Sequence, residues 1–323
     1  MDGTDPDITF EDGVCNHCIQ AHKSLKENKI RPYDCLMGLS GGVDSSTVLH
    51  YIVKAGMNPL CFSFDNEYNE EKADENVRKM VNKLGVDHQI IRIDMEKYRK
   101  LQAAFFQSGV PNIEIPTDHI LMAITYDLAD RHGIKTVYSG GNTATESIMP
   151  ASWSYNARDL THIQDIYERF VGKKLTGLPV CSIWKWNYYR WIKRIKILYP
   201  LDNWDYHRLD AEKMLTEEYG FQSTGEKHEE NIFTKWFQNF FLYEKYGIDK
   251  RKAHYASLIN SGQMTRAEAM EKLRACPIFP SLGIEAKVMK YPKRSHDFYK
   301  QDKWYDRIAK LCKIIGSAVG QNR

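Results

Sequence analysis

The stretch LMGLSGGVDSSTVLHYIVKAG, residues 36–56, decides how the rest of the chain is read. An apolar run ends in a glycine pair, and a helical pattern opens directly after it with Asp44, Ser45 and Ser46. Gly41 and Gly42 let the backbone bend close to a ligand, so that successive N–H groups can face one anion. A helix N-terminus adds partial positive charge and unpaired donors, and the hydroxyls of Ser40, Ser45 and Ser46 can join them. Residues Ser40, Gly41, Gly42, Val43, Asp44, Ser45 and Ser46 therefore read as a phosphate cradle, yet the loop holds no lysine. The pattern G-x-x-x-x-G-K-[ST] carries its own cation; this loop needs cations from elsewhere. Asp44 would repel an anion unless it holds Mg²⁺ or merely caps the helix.

Outward from the loop, strand-length apolar runs alternate with amphipathic stretches. Tyr33 to Leu39, Pro59 to Phe64, His88 to Ile93 and Lys135 to Ser139 read as strands. Ser45 to Lys54, Lys72 to Leu84, Lys97 to Phe106 and His119 to His132 read as helices, with Gly56 and Gly85 placed to end two of them. This alternation predicts an α/β fold with a Rossmann-like parallel sheet and helices on both faces. Beyond about residue 150 the strand signal stops and the chain turns helical and aromatic. The expected organisation is a Cys-containing segment over residues 1–30, a phosphate-loop domain over 31–150 and a mainly helical substrate or partner region over 151–323.

Composition narrows the function classes. The 323 residues carry 45 Lys+Arg against 42 Asp+Glu, and a net charge of +3 is too small to argue for nucleic acid. No apolar run approaches the roughly 18 residues of a membrane span. The acidic start MDGTDPDITFEDG is unlike a secretory signal. Seven scattered cysteines argue against a disulfide framework, and the expectation is a cytoplasmic protein. Cys35 and Cys61, inside expected strands, read as buried core thiols.

Three further stretches can meet the loop. SGGNTATESIM, residues 139–149, puts Gly140, Gly141 and Asn142 after a strand. That is either a ligand-facing sheet edge or a plain turn capped by Asn142 or Thr143. Glu146 is a Mg²⁺ or substrate ligand, or a first-turn acid favoured by the helix dipole. In residues 224–273, Ile232, Phe233, Trp236, Phe237, Phe240 and Phe241 recur at helical spacing as a core stripe. Lys227 precedes that stripe and Lys250, Arg251 and Lys252 follow it; the triplet is a solvated surface or a source of the missing cations. The run SIWKWNYYRWIKRIKILYP, residues 182–200, interleaves basic and aromatic residues. It reads as a buried amphipathic helix with Ile183, Trp184, Trp191 and Ile195 inward, in preference to an RNA-stacking surface.

SGGVDSS resembles the pyrophosphate loop of the PP-loop ATP pyrophosphatases, found in asparagine, GMP and NAD synthetases and in tRNA thiolases. Together with GGNTATES, the segment over 224–273 and DPDITFEDGVCNHC, it makes the chain similar, up to about residue 275, to the N-acetyl sugar amidotransferase family of lipopolysaccharide and nonulosonate biosynthesis. The resemblance implies ATP and Mg²⁺, cleavage between the α- and β-phosphates, and conversion of an acetamido group on a nucleotide-activated sugar into an acetamidino group. It implies ammonia from a separate glutaminase partner. On this reading Ser40 to Ser46, with Gly140, Gly141 and Asn142, cradle the nucleotide, and Phe62 and Phe64 border the adenosine. Asp44 supports Mg²⁺, with Glu146 as a further acid of the site, while Lys227, Lys250 and Lys252 offset developing charge. Family members usually carry a further CxxC ahead of the segment matching MDGTDPDITF; Cys15 and Cys18 are then two of the four ligands of a Zn²⁺ knuckle. The rival reading is a tRNA thiolase of the same superfamily, drawing sulfur from Cys15, Cys18 and Cys181.

Overall fold

The computed structural model of the protein describes residues 7–11, 13–20, 33–223 and 225–304. A two-residue hairpin, β1 (Phe10–Glu11) with β2 (Val14–Cys15), precedes a five-stranded sheet. The sheet strands are β3 (Cys35–Gly38), β4 (Pro59–Phe64), β5 (Asp87–Ile91), β6 (Thr136–Tyr138) and β7 (Lys196–Leu198). Their spatial order is β5-β4-β3-β6-β7, and every pairing is parallel. The expected strands and helices up to residue 150 are present, their ends shifted by up to four residues. Helix α1 (Val43–Lys54) leaves the loop after β3, and α2 (Glu71–Leu84) closes on a left-handed Gly85.

The alternating pleat sorts the central strands onto two faces. Cys35, Met37 and Cys61 turn one way and join Val48, Leu49, Val77 and Met80 of α1 and α2, with Leu215 of the helix Arg208–Tyr219. Leu36, Leu60 and Phe62 turn the other way, toward the helices Met95–Ser108, Ile115–Arg131 and Leu160–Val171 and the aromatic stripe around Trp236. Both faces are covered, as a parallel sheet requires. Cys35 and Cys61 are fully buried, and burial pushes both thiols up to about 12.

Two expectations are corrected beyond residue 150. The strand signal does not end there, because Lys196–Leu198 returns to the sheet as its outer strand beside β6. Three residues at an exposed edge leave too short an alternation to be seen. The preceding run is also turned differently from the expected helix. Ile183, Trp186 and Tyr189 face inward, whereas Trp184 is 65% and Trp191 38% exposed. The helix Ile183–Asn187 passes into a wider five-residue turn, Tyr188–Ile192, which resets the periodicity before β7. The helical part of the run is thus only half the length its composition suggested. The aromatic stripe does pack as a core face: Phe233, Trp236, Phe237, Phe240 and Phe241 are all buried. None of the described helices is long and apolar enough to cross a membrane.

Candidate active site

Strand order creates the site. The chain leaves β3 toward β4 on one side and comes back through β6 on the other, so the crevice between the carboxyl ends of β3 and β6 is a topological switch point. The loop Leu39–Gly42 follows β3 and the loop Ser139–Asn142 follows β6, so the two glycine pairs meet there. A Cβ on Gly140 would stand 2.6 Å from the Ser45 nitrogen, a distance that only glycine allows. Gly41 takes φ +78°, and a Cβ there would run into the Ala73 carbonyl at the start of α2. Gly42 caps α1 without a side chain, leaving the first-turn N–H groups open toward the crevice. Ser40 Oγ lies 3.3 Å from Ser45 Oγ and accepts from the Gly42 N–H at 3.3 Å, which rounds the loop into a concave turn.

Asp44, in the first turn of α1, is where three elements converge. It accepts hydrogen bonds from the Tyr206 hydroxyl and the Lys227 ammonium, and from Asn142 Nδ2 at 3.2 Å. Asn142 also caps the short helix Thr143–Glu146, accepting from the Thr145 N–H at 2.9 Å. It therefore serves both as turn cap and as link to the loop. Lys227 donates to Thr145 Oγ1 at 2.6 Å and lies 3.1 Å from Glu146 Oε1, with its side chain only 9% exposed. His228 Nε2 is 2.9 Å from the same Glu146 oxygen.

The segment reaches the loop because it is tied across it. Glu70 N–H donates to the Glu230 carbonyl at 3.0 Å, Ile232 N–H donates to the Tyr68 carbonyl at 2.7 Å, and Asn69 bridges Asn231. His228 adopts φ +64°, a left-handed conformation costly for a residue with a Cβ, which turns Lys227 back under the bridge. The loop that lacks a lysine in sequence thus receives one from 183 residues away.

Electrostatics follow from this packing. Burial opposes ionisation of Glu146, but His228 and Lys227 outweigh it and hold the carboxyl well below the usual carboxylate range. Burial also disfavours the Lys227 ammonium, yet Asp44 and Glu146 raise it above its ordinary value. His228 is raised as well, the Glu146 bond prevailing over burial. The site is a charged cluster at neutral pH, with its cations already matched by acids. A pyrophosphate with several negative charges would need a further cation. Asp44 and Glu146 are hard oxygen donors already bridged by one cation, Lys227, and that donor set suits Mg²⁺ held jointly with phosphates.

The other expected site residues divide. Lys250 lines a cavity next to the cluster together with His228, and its Nζ lies 3.1 Å from Met149 Sδ. Burial lowers it, against the pull of Glu114, Glu146 and Asp118. Lys252 is exposed. Two residues apart on one helix, Lys250–Asn260, the side chains diverge by about 200°. Arg251 pairs with Asp249, its nitrogens 3.0 and 2.8 Å from the two carboxylate oxygens. We therefore expect Lys250→Ala to lower turnover about ten-fold and Lys252→Ala to leave it within about two-fold, measured side by side under saturating substrate.

Phe62 is a correction. At 2% exposure it packs beneath Gly38 in the core and cannot border a nucleotide. Phe64, two residues on and on the same face, packs against the same core but is only half-buried at the strand's carboxyl end.

Cys15 ends the N-terminal hairpin and Cys18 lies in the helical turn after it, where the Cys18 N–H points at Cys15 Sγ at 3.4 Å and lowers that thiol below its ordinary value. Among the described residues no group of three or more His, Cys, Asp and Glu is placed to hold a metal.

Sequence reading missed Tyr206, Thr145, His254, Glu114 and Asp118. His254, one turn after Lys250, is pushed down to about 3 by burial and by His228, so it is a neutral imidazole. Its spacing was a usable signal. Tyr206 gave none, since it arrives from a loop after β7.

Comparison with known proteins agrees with this geometry. Residues 34–154 match the family described as queuosine biosynthesis protein QueC. The 7-cyano-7-deazaguanine synthase of Thermoplasma volcanium is 34% identical over 135 residues, which cover 37% of this chain and 54% of that protein. The tRNA-specific 2-thiouridylase MnmA 2 of Fusobacterium nucleatum subsp. nucleatum is 26% identical over 118 residues, 34% of either chain. The chain spans about a third to just over half of the length of the curated relatives it matches. The NH3-dependent NAD synthetase structure from Campylobacter jejuni aligns over 81% of this chain and 98% of its own, at 13% identity and a TM-score of 0.35. The loop, the sheet and the QueC-family match identify residues 34–154 as a PP-loop ATP pyrophosphatase unit. Residues 230–282 match the LPS biosynthesis protein WbpG-like C-terminal domain.

Proposed function

We propose that this protein converts the acetamido group of a nucleotide-activated sugar into an acetamidino group, using ATP and ammonia and releasing AMP and pyrophosphate. One observation carries the reading. The Lys227 ammonium joins Asp44 of the phosphate loop to Glu146 of the second glycine loop, directly before the WbpG-like segment. An amide carbonyl resists ammonia because nitrogen donation stabilises it. Attack of its oxygen on the α-phosphorus forms the O–P bond and expels pyrophosphate; ammonia then adds to the activated carbon, and AMP leaves with the oxygen. The loop Ser40–Ser46 holds the leaving pyrophosphate, and Lys227 and Lys250 offset its charge. Mg²⁺, when bound through Asp44 and Glu146, neutralises the phosphates further. Ammonia comes from a separate glutaminase partner.

The thiolase alternative draws support from the MnmA 2 similarity. It asks for a thiolate, and Cys181 is 1% exposed with burial pushing its thiol up to about 12. Turnover with ammonium chloride, ATP and a UDP-linked acetamido sugar should give AMP and pyrophosphate in equal amounts, with glutamine inert until a partner is added. Stoichiometric ADP and orthophosphate would overturn the assignment, and thiolation of tRNA with no amidine formed would establish the alternative.

A further inference from the structure

Beside the charged cluster lies a cavity of about 380 Å³, of whose walls only the Lys250 and His228 side takes part in the phosphate chemistry. It is within the roughly 300–1,000 Å³ range of small-molecule sites, but at its lower end. Its walls combine two chemistries. Glu114 and Asp118, one turn apart at the start of the helix Ile115–Arg131, present carboxylates, while Trp153 and Tyr155 present rings; His228 and Lys250 close the side toward Glu146.

Each wall is held in place. Glu114 accepts a hydrogen bond from the Thr234 hydroxyl. The Tyr155 ring stacks on His296 at 4.8 Å and 14°, and its hydroxyl donates to Asp159 at 2.8 Å. Trp153 differs: among the described residues its indole has no ring, cation or hydrogen-bond partner, although it is partly buried in the cavity wall. Asp118 is solvent-accessible where it lines the cavity, with protein packed around it. Burial, then the neighbouring Glu114, raises it above the usual carboxylate range, which keeps both acids from repelling each other strongly.

An unpaired indole in one cavity with two carboxylates suits a ring that is apolar on its face and rich in O–H and N–H at its edge. We propose that this cavity is the acceptor site and that it takes one pyranose ring, stacked on Trp153, with its hydroxyl and amide N–H groups donating to Glu114 and Asp118. The volume leaves the nucleotide carrier outside. Such a pose aims the ring's acetamido carbonyl at the His228 and Lys250 side, toward the phosphate loop. The assignment rests on the amidotransferase reading and deepens it by naming the residues that select the acceptor.

The test is equilibrium binding of UDP-N-acetylglucosamine as a probe, by saturation-transfer NMR without ATP, in the full chain. In the wild type, saturation should be strongest on the pyranose protons and weaker on the uridine. Trp153→Ala should weaken binding about ten-fold, ~1.4 kcal/mol, Trp153→Phe should restore it to within about three-fold, and Asp118→Asn should weaken it about five-fold. Binding of ATP should be unchanged in all three, which reports an intact fold. If the wild type binds the probe and Trp153→Ala binds it equally well, or saturation falls mainly on the uridine, the acceptor assignment is overturned while the amidotransferase reading stands. If the wild type binds neither this probe nor any other acetamido-sugar nucleotide, both are overturned.

Discussion

Replacing Lys227 by Ala should lower kcat/KM about 10³-fold, a loss of ~4 kcal/mol of transition-state stabilisation. The argument is one of charge. Helix α1 and its backbone donors offer roughly half a unit of positive charge to an anion, whereas departing pyrophosphate carries several negative units next to Asp44. Lys227 is the cation the fold delivers to that point, touching Asp44, Thr145 and Glu146 at once. Because Asp44 and Glu146 raise its pKa, the ammonium stays charged throughout the neutral range. The sign is that of a lysine gaining partners: its stabilisation is complete below the unfolded lysine pKa and is lost only as pH rises through the higher folded value. The defect in Lys227→Ala should therefore be the same at pH 6.5 and pH 8.5. Part of the damage will be to stability, since two largely buried carboxylates lose their partner. Lys227→Arg keeps the charge and should recover the melting temperature more fully than the rate, because a planar guanidinium cannot reproduce the three contacts of an ammonium. Steady-state rates beside thermal melts separate the two effects. A Lys227→Ala enzyme within ten-fold of wild type would remove Lys227 from the phosphate chemistry.

How much of this was legible in the sequence depends on the range of each signal. The strand–loop–helix over residues 36–56 is local and was legible as a phosphate cradle, and the alternation of strands and helices around it gave the parallel sheet. Ser139–Asn142 read equally as a ligand-facing sheet edge or a plain capped turn, and only the strand order, which puts β6 beside β3, brings it to that loop. Lys227 was visible as a lysine before a helix, but its partner was not: the contact depends on a left-handed His228 and on backbone bonds from Glu70 and Tyr68, which no periodicity encodes. Lys250 and Lys252 looked equivalent as neighbours in GIDKRKAH, and only the helical turn between them separates cavity from solvent. Phe62 was misassigned for a related reason. An aromatic near a strand's end suggests a ligand wall, while the pleat of β4 sends it into the core. Glu114 and Asp118 carried a readable sign, two acids four residues apart at a helix start. Their meaning came only with Trp153 and Tyr155 in the same cavity lining, brought there by the fold.

Gly41→Ala should damage both stability and turnover, and Gly56→Ala shows why. Both glycines are left-handed, with φ +78° and +84°. For alanine that conformation costs roughly 1–2 kcal/mol, and at Gly56 this is the whole cost, since nothing lies within 4 Å of the added Cβ. At Gly41 the same methyl would fall on the Ala73 peptide, whose carbonyl carbon is 2.6 Å from the Cβ position. Backbone atoms of a packed helix cannot rotate away as a side chain can, so either the loop or the start of α2 must shift. A shift of α2 would disturb the Asn76 side chain, which donates to the Gly41 carbonyl at 3.2 Å and to the Gln222 carbonyl at 2.8 Å. A shift of the loop would turn its N–H groups away from the anion they are arranged to meet. The expected result is a loss of about 1–2 kcal/mol in stability for Gly56→Ala with turnover intact. For Gly41→Ala we expect at least twice that loss, together with turnover reduced by about 10³-fold or more. Urea melts and product release measured on the two variants in parallel distinguish strain from collision. Equal stability and equal turnover for the pair would mean that the loop tolerates a side chain at Gly41, and that its close approach to α2 is not what shapes the cradle.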